Sequence, residues 1–158
     1  NVTIHAGEAY GTSSIHQAIH YCGAHRIGHG TRLRENEDLM KYVQDHRITL
    51  EVCLTSNWHT RSVQSLDQHP FKLYYDQDIR VTLNTDNRLM SDTTLTKEFY
   101  LAHELFDLTL HDFRNLTITA IKSSFLSHDK RKKMIRSIAE ELENEFGLMP
   151  EFIAQTKI

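Results

Sequence analysis

The sequence has few cysteines, no long apolar run and no excess of positive charge. Two cysteines in 158 residues exclude a disulfide-dense scaffold. Cys22 and Cys53 lie inside apolar patterns, so we expect both to be reduced core thiols of a cytoplasmic protein. No apolar run approaches the length of a membrane span, and a net charge of -3 offers no basic field for nucleic acid. We therefore predict neither a membrane nor a nucleic acid as a partner.

Histidine, by contrast, is abundant. Eleven histidines are many for a chain of this length, and histidine is both the commonest metal ligand and a general base. No low-complexity segment and no Gly/Ser-rich linker divides the chain, which is long enough to bury a core. We predict a single domain over residues 1–158.

Short apolar strands alternate with helical patterns in the first 90 residues. The strands are predicted to end near residues 5, 28, 54 and 84, roughly 25–30 residues apart, which is typical of βα units in a parallel sheet. Four such units make half of an eight-unit barrel. The sequence therefore predicts an α/β fold, one half of a (β/α)8 barrel over residues 1–90, followed by C-terminal helices over residues 91–158.

Several boundaries are predicted by local signals. The strand over residues 48–54 should end in a polar turn over residues 55–57, which contains Ser56 and Asn57. Pro70 should begin a short helix, and Asp112 should cap a later one. Pro150 should start a final helical turn.

Polar side chains follow the predicted strands at their carboxyl ends. His5 and Glu8 lie three residues apart just past the first strand, where they can act as metal ligand and proton donor. His29 lies between two glycines that allow a tight turn and project its ring from the second strand. Because the carboxyl rim is where sites form in barrels and open α/β sheets, these residues are candidates for one site.

Four motifs follow one another along the chain: His5-Ala6-Gly7-Glu8, Arg26-Ile27-Gly28-His29-Gly30, Ser56-Asn57 and Asn84-Thr85-Asp86. In this order they resemble the motifs of the adenosine deaminase family, a zinc-dependent branch of the amidohydrolase barrels. The block over residues 84–91 resembles the bacterial members in particular.

The resemblance implies a role for each matching residue. His5 would be a zinc ligand from the fifth strand of the barrel, and Asp86 a zinc ligand from the eighth. Glu8 would be the acid that protonates purine N1. His29 would orient or deprotonate the attacking water. The reaction implied is hydrolytic deamination of adenosine to inosine and ammonia.

Other positions would contact the substrate or support the site. Asn87 stands where the family usually has a second aspartate, and its amide can donate a hydrogen bond to purine N7 without first taking up a proton. Gly7 is also expected at the substrate. Ser56 and Asn57 are either a turn that satisfies the strand end or supports for the site residues.

One family motif has no counterpart in this chain. The family's first strand carries two zinc ligands in an H-x-H pair, and no H-x-H occurs here. We therefore expect the chain to be the carboxyl half of such an enzyme, truncated before the fifth strand. Alone it should bind zinc poorly and show no turnover.

Three alternatives stay open. The substrate could be another adenine-bearing compound, such as AMP, adenine or a modified nucleoside. The chain could instead be a non-catalytic α/β module whose exposed edge strands pair with another copy or with the missing half. His16 and His20 imitate a zinc-protease helix, although Gln17 replaces the glutamate that such a helix needs as base.

Overall fold

The computed structural model describes residues 1–147 and contains one parallel sheet within them. The strand order is β1-β2-β3-β4, so β1 and β4 are the outer strands. Each neighbouring pair is parallel. All four carboxyl ends therefore lie along one side of the sheet, called here the carboxyl edge. The strands are Thr3–Ala6 (β1), Arg26–His29 (β2), Thr49–Val52 (β3) and Val81–Leu83 (β4).

Helices follow or connect the strands, and two single 3-10 turns lie at Leu33–Glu35 and Leu66–Gln68. The α-helices are Thr12–His20 (α1), Glu37–Asp45 (α2), Leu54–His59 (α3), Phe71–Asp76 (α4), Arg88–Ser91 (α5), Leu95–Phe106 (α6), Leu110–Ser123 (α7) and His128–Phe146 (α8). No helix among these is long and apolar enough to cross a bilayer.

One face of the sheet forms the apolar core. Ile27, Leu50 and Val52 are each 0% exposed, and burial of each such side chain contributes about 1.5–3 kcal/mol. Helix α1 packs beside β1 and buries Ile15 and Ile19, which are four residues apart and therefore share one face. Successive side chains of a strand point to opposite faces of the sheet, so the other face is left for polar residues.

The polar turn predicted at residues 55–57 is wrong, because α3 begins at Leu54 and contains both Ser56 and Asn57. Two tertiary interactions favour the helix. The side chain of Leu54 is fully buried. The carboxylate of Glu98 accepts a hydrogen bond from the main-chain N–H of Thr55 at 3.3 Å, which satisfies a first-turn donor that a short helix cannot satisfy itself.

Three other expectations have different outcomes. Pro70 directly precedes α4, as predicted. Asp112 does not cap α7, since that helix begins at Leu110 and places the aspartate in its first turn, where a carboxylate is favourable next to the helix N-terminus. Cys53 is a buried free thiol, but Cys22 is exposed because α1 ends at His20 before reaching it. The turn predicted at Pro150 lies outside the described residues.

The chain forms two compact units, residues 1–109 and residues 110–158. The first contains the sheet and α1 to α6. The described part of the second consists of α7 and α8, which contact each other. The single domain predicted over residues 1–158 stays a prediction. All the candidate site residues lie in the first unit.

Candidate active site

The predicted site residues follow three strands at the carboxyl edge. His5 lies in β1 and Glu8 two residues after it, His29 is the last residue of β2, and Asp86 comes three residues after β4. In the register of β1 and β2, Ala6 pairs with His29. Because parallel strands end on the same side, residues up to 81 positions apart in the chain lie at one edge of the sheet.

His5, Glu8 and His29 form a compact cluster. Nε2 of His29 lies 3.3 Å from Nδ1 of His5 and 3.4 Å from Oε2 of Glu8. The two rings meet edge to face with centroids 4.6 Å apart. One ligand atom from each residue lies within 4.8 Å of the others, and in the described part of the chain no other three His, Cys, Asp or Glu side chains do so.

Two glycines make this cluster possible. Gly28 pairs with His5 across the strands, and a Cβ on it would lie 2.7 Å from Cδ2 of the imidazole, so a larger residue would displace the ring. Gly7 has φ +67°, donates its N–H to Ser14 Oγ at 2.9 Å and accepts from Thr31 Oγ1 at 2.6 Å. These bonds hold the turn between His5 and Glu8. A substrate contact at Gly7 stays a prediction.

His29 is the most enclosed member of the cluster, with 1% of its surface exposed. Its φ of +67° is unusual for a residue with a side chain, and such backbone strain concentrates at functional sites. Nδ2 of Asn57 lies 2.9 Å from its Nδ1. Burial lowers the pKa of His29, and this effect outweighs the attraction from Glu8 that raises it.

The carboxylate of Asp86 is hydrogen-bonded to helix α3. Ser56 Oγ in α3 donates a hydrogen bond to Asp86 Oδ2 at 2.7 Å, so Ser56 is a helical residue in contact with Asp86, while its role in supporting the site stays a prediction. The Asp86 charge also raises the pKa of His29, although its ligand atoms are not part of the compact cluster with His5. Asn87 caps α5 through Oδ1, which accepts from Met90 N at 3.2 Å. Its Nδ2 is therefore the atom suited to donate to a purine nitrogen.

Two buried polar residues were missed by the sequence reasoning. His69 is 4% exposed, and its Nε2 lies 3.1 Å from Asn57 Oδ1. Glu98 is 0% exposed and accepts from Thr93 Oγ1 at 2.8 Å as well as from α3. Glu98 could have been found, since it shares the inward stripe of α6 with Ala102 at i+4, where a carboxylate is out of place. For His69 the high histidine count was the only signal.

A cavity of about 740 Å³ opens beside Glu8. Thr60, one of the residues that line it, donates its hydroxyl to Glu8 Oε1 at 3.1 Å. Three arginines, Arg32, Arg34 and Arg61, also line the cavity. The cavity is thus large enough for a small organic molecule and carries charges of both signs.

The donor atoms at this edge fit a zinc ion. Zinc in proteins takes imidazole nitrogen and carboxylate oxygen, and catalytic sites use three protein ligands and keep one position open. His5 is exposed and thus accessible to an ion, and Glu8 and Asp86 are carboxylates on the same edge.

His16 and His20 do not lie at the carboxyl edge. Their rings contact each other on the exposed face of α1, with centroids 4.3 Å apart.

Four parallel strands with polar residues at their shared carboxyl edge have the arrangement of half of a (β/α)8 barrel. The adenine deaminase of Arthrobacter aurescens superposes with a TM-score of 0.85 at 25% identity, covering 89% of this chain and 43% of that one. The apo N6-methyl-AMP deaminase of Arabidopsis thaliana superposes with a TM-score of 0.80 at 30% identity, covering 92% and 42%. The predicted fold class is confirmed.

The sequence comparisons show the family. The family model described as adenosine deaminase matches residues 1–141. The adenosine deaminase of Mycobacterium ulcerans (strain Agy99) is 44% identical over 147 residues, which cover 86% of this chain and 41% of that relative. The chain therefore spans less than half the length of the relative it matches. The chain belongs to the adenosine deaminase family, as its four motifs predicted.

Proposed function

We propose that the intact protein containing this chain hydrolyses adenosine to inosine and ammonia with the help of zinc. The observation that carries this proposal is the cluster of His5, Glu8 and His29 at the carboxyl edge, in a chain of this family. An imidazole that can hold a metal, a carboxyl group that can give a proton and a second, buried imidazole can together serve the addition of water to a purine ring.

Each residue has one task in the proposed reaction. His5 and Asp86 hold the zinc, which when bound lowers the pKa of water and makes hydroxide available near neutral pH. One water proton is released to solvent, and the remaining hydroxide oxygen forms a bond to purine C6 while protonated Glu8 gives its proton to N1. The proton of the added hydroxyl then passes to the amino nitrogen as the bond from C6 to that nitrogen breaks. Ammonia leaves, the oxygen stays on C6 as a carbonyl, and Glu8 takes up a proton again from solvent. His29 orients the water beside C6.

The neighbouring residues position the base and the ligands. Asn87 donates from Nδ2 to purine N7, since its Oδ1 is occupied by the cap of α5. Ser56 holds the carboxylate of Asp86, and Asn57 holds His29. Gly7 lies against the purine ring at the turn between His5 and Glu8. These assignments support recognition of the adenine base and leave the ribose side unassigned.

One observation favours a second substrate class, an adenine nucleotide. The cavity beside Glu8 is lined by Arg32, Arg34 and Arg61, and a phosphate is a natural partner for guanidinium groups. Arg32 is already paired with Glu35 at 2.7 Å, and Arg34 donates to the main chain of Gln68. The Arabidopsis relative is named for such a nucleotide. Adenosine remains our first choice because the 44% identical relative is named an adenosine deaminase.

A substrate panel tests both candidates. Adenosine, AMP, N6-methyl-AMP and adenine are offered to the intact protein, and ammonia release is measured. We expect the highest kcat/KM for adenosine, and Glu8→Gln should lower kcat about 10²–10⁴-fold because it removes the proton donor. Glu37→Gln, a change at an exposed position of α2, is the matched control. If adenosine is the poorest substrate, the first choice fails. A loss of AMP turnover alone in Arg61→Ala supports the nucleotide.

The 158-residue chain alone is proposed to bind zinc weakly and to lack activity, because the family's H-x-H pair is not in it. Its outer strands β1 and β4 are the edges through which it would pair with another copy or with the rest of a barrel. Weak zinc binding is tested by metal analysis after dialysis against zinc. Pairing through the outer strands is tested by light scattering. Measurable deamination by the isolated chain, or a clean monomer, would contradict them.

A further inference from the structure

A chain of three hydrogen bonds connects the main chain of α4 with His29. The N–H of Phe71 donates to Nδ1 of His69 at 3.0 Å. Nε2 of His69 lies 3.1 Å from Oδ1 of Asn57, and Nδ2 of Asn57 lies 2.9 Å from Nδ1 of His29. The three side chains are buried, with 4%, 0% and 1% of their surfaces exposed. Water therefore has little access to any of these atoms.

The direction of every bond in this chain follows from its first donor. A main-chain N–H can only donate, so Nδ1 of His69 must offer a lone pair. The proton of a neutral His69 is then on Nε2, which donates to Asn57. The amide atom that faces His69 must therefore be the oxygen, and the amide nitrogen faces His29. Nδ1 of His29 thus accepts, and the proton of a neutral His29 is on Nε2.

His69 cannot carry a second proton in this arrangement, since a proton on Nδ1 would face the N–H of Phe71. The pKa of His69 is lowered to about 3, mainly by burial and in the same direction by the positive charge of Arg34. The ring is therefore neutral at the pH at which the protein works. A reversed amide at Asn57 would set a donor against a donor inside a dry core, which is costly.

We propose that His69 is a positioning residue that fixes, through Asn57, the tautomer of His29 with its proton on Nε2. That N–H faces Glu8 and His5, at 3.4 and 3.3 Å from the nearest atoms. A protonated nitrogen has no lone pair, so His29 is excluded as a zinc ligand through Nε2. The last step rests on the proposed deamination. In that reaction His29 donates a hydrogen bond to the oxygen that adds to C6, and His29 is not the base that removes a proton from that oxygen.

Ring nitrogens tell the two tautomers apart directly. Histidine labelled with ¹⁵N in the intact protein gives different shifts for a protonated and an unprotonated ring nitrogen, and the signals of His29 and His69 are assigned from those lost in His29→Gln and His69→Gln. We expect Nε2 to be protonated in both rings. A wild-type His29 with its proton on Nδ1 overturns the proposal.

Three substitutions reverse, preserve or interrupt the chain of hydrogen bonds from His69 through Asn57 to His29, called here the relay. Asn57→Asp is nearly isosteric but offers only acceptors, so we expect Nδ1 of His29 to become protonated. His69→Gln keeps an N–H near the position of Nε2 and should preserve the tautomer of His29, whereas His69→Leu removes the donor and should leave a mixture. The control is His59→Gln, at an exposed position of α3, which should change nothing. An unchanged His29 spectrum in both Asn57→Asp and His69→Leu would also refute the relay.

Turnover separates this inference from the proposed function. We expect His69→Leu to lower kcat about 10–100-fold with little change in KM, and His69→Gln to restore most of it. The tautomer measurement needs no substrate. Protonated Nε2 in a protein that deaminates no adenine compound would refute the proposed function and leave the relay intact. An active enzyme with protonated Nδ1 would refute the relay alone.

Discussion

Replacement of His69 by glutamine should change how the stability of the protein depends on pH. In the folded protein the pKa of His69 is lowered to about 3 by burial, whereas in the unfolded chain it returns to the ordinary value of 6.5. Between these two values the unfolded state binds one proton that the folded state does not. The stability that His69 contributes is therefore complete above pH 6.5 and is lost as the pH falls toward 3.

The size of the effect follows from one proton. The free energy of unfolding changes by about 1.4 kcal/mol per pH unit for each proton by which the two states differ. From pH 6.5 to about pH 5, His69 alone should remove about 2 kcal/mol of stability. This is a substantial part of the about 5–15 kcal/mol that stabilises a typical domain.

Urea unfolding at about pH 7 and about pH 5 measures this contribution. His69→Gln should be less stable than the wild type at the higher pH, because the acceptor that Nδ1 offers to the N–H of Phe71 is lost, but it should lose about 2 kcal/mol less on acidification. His29 also has a lowered pKa, and its contribution largely cancels because it is present in both proteins. His59→Gln, on the exposed end of α3, should keep the wild-type difference.

The result that refutes this reasoning is the same acid-dependent loss in the wild type and in His69→Gln. That outcome would mean that His69 takes up its proton in the folded state as readily as in the unfolded chain. A doubly protonated His69 could not accept a hydrogen bond from the N–H of Phe71, so the direction inferred for the hydrogen bonds through Asn57 would fail as well.

Three further substitutions test the packing that supports the site. Gly7→Ala should destabilise by more than about 1 kcal/mol, because the new Cβ would lie 2.5 Å from a side chain of α1, whereas the control Gly23→Ala has a similar φ of +64° and open space around it. Tyr74→Phe should cost about 1–3 kcal/mol, since its buried hydroxyl serves three main-chain groups at 2.9–3.1 Å. Glu98→Leu should lower stability by about 1–3 kcal/mol by leaving buried donors unpaired, with Glu104→Leu on the exposed side of α6 as control. Urea unfolding measures all three.

Each of these predictions has a result that contradicts it. Equal losses in Gly7→Ala and Gly23→Ala would show that backbone strain, not crowding at α1, decides the cost. A neutral Tyr74→Phe would mean that water replaces the hydroxyl. Equal effects of the two glutamate substitutions in α6 would show that the carboxylate of Glu98 does not hold the start of α3.

The strands were predictable because their signals are local. The β-branched residues Ile48, Thr49 and Val52 and the regular spacing of βα units need no knowledge of distant contacts. The boundary after β3 was not predictable in this way, since the first turn of α3 is bonded through Thr55 to Glu98, 43 residues further along the chain. The expected burial of Cys22 failed for a related reason: the apolar pattern continues past the point at which α1 ends.

The sequence by itself determined the alternation of strands and helices, the family and the identity of the residues at the carboxyl edge. These follow from residue types at short, fixed spacings. Only the tertiary structure decided that His5, Glu8 and His29 form the compact cluster and that Asp86, outside it, accepts a hydrogen bond from Ser56. It also brought a buried histidine 40 residues after His29 into the same network through Asn57, because burial and the single direction of a main-chain donor exist only in the folded chain.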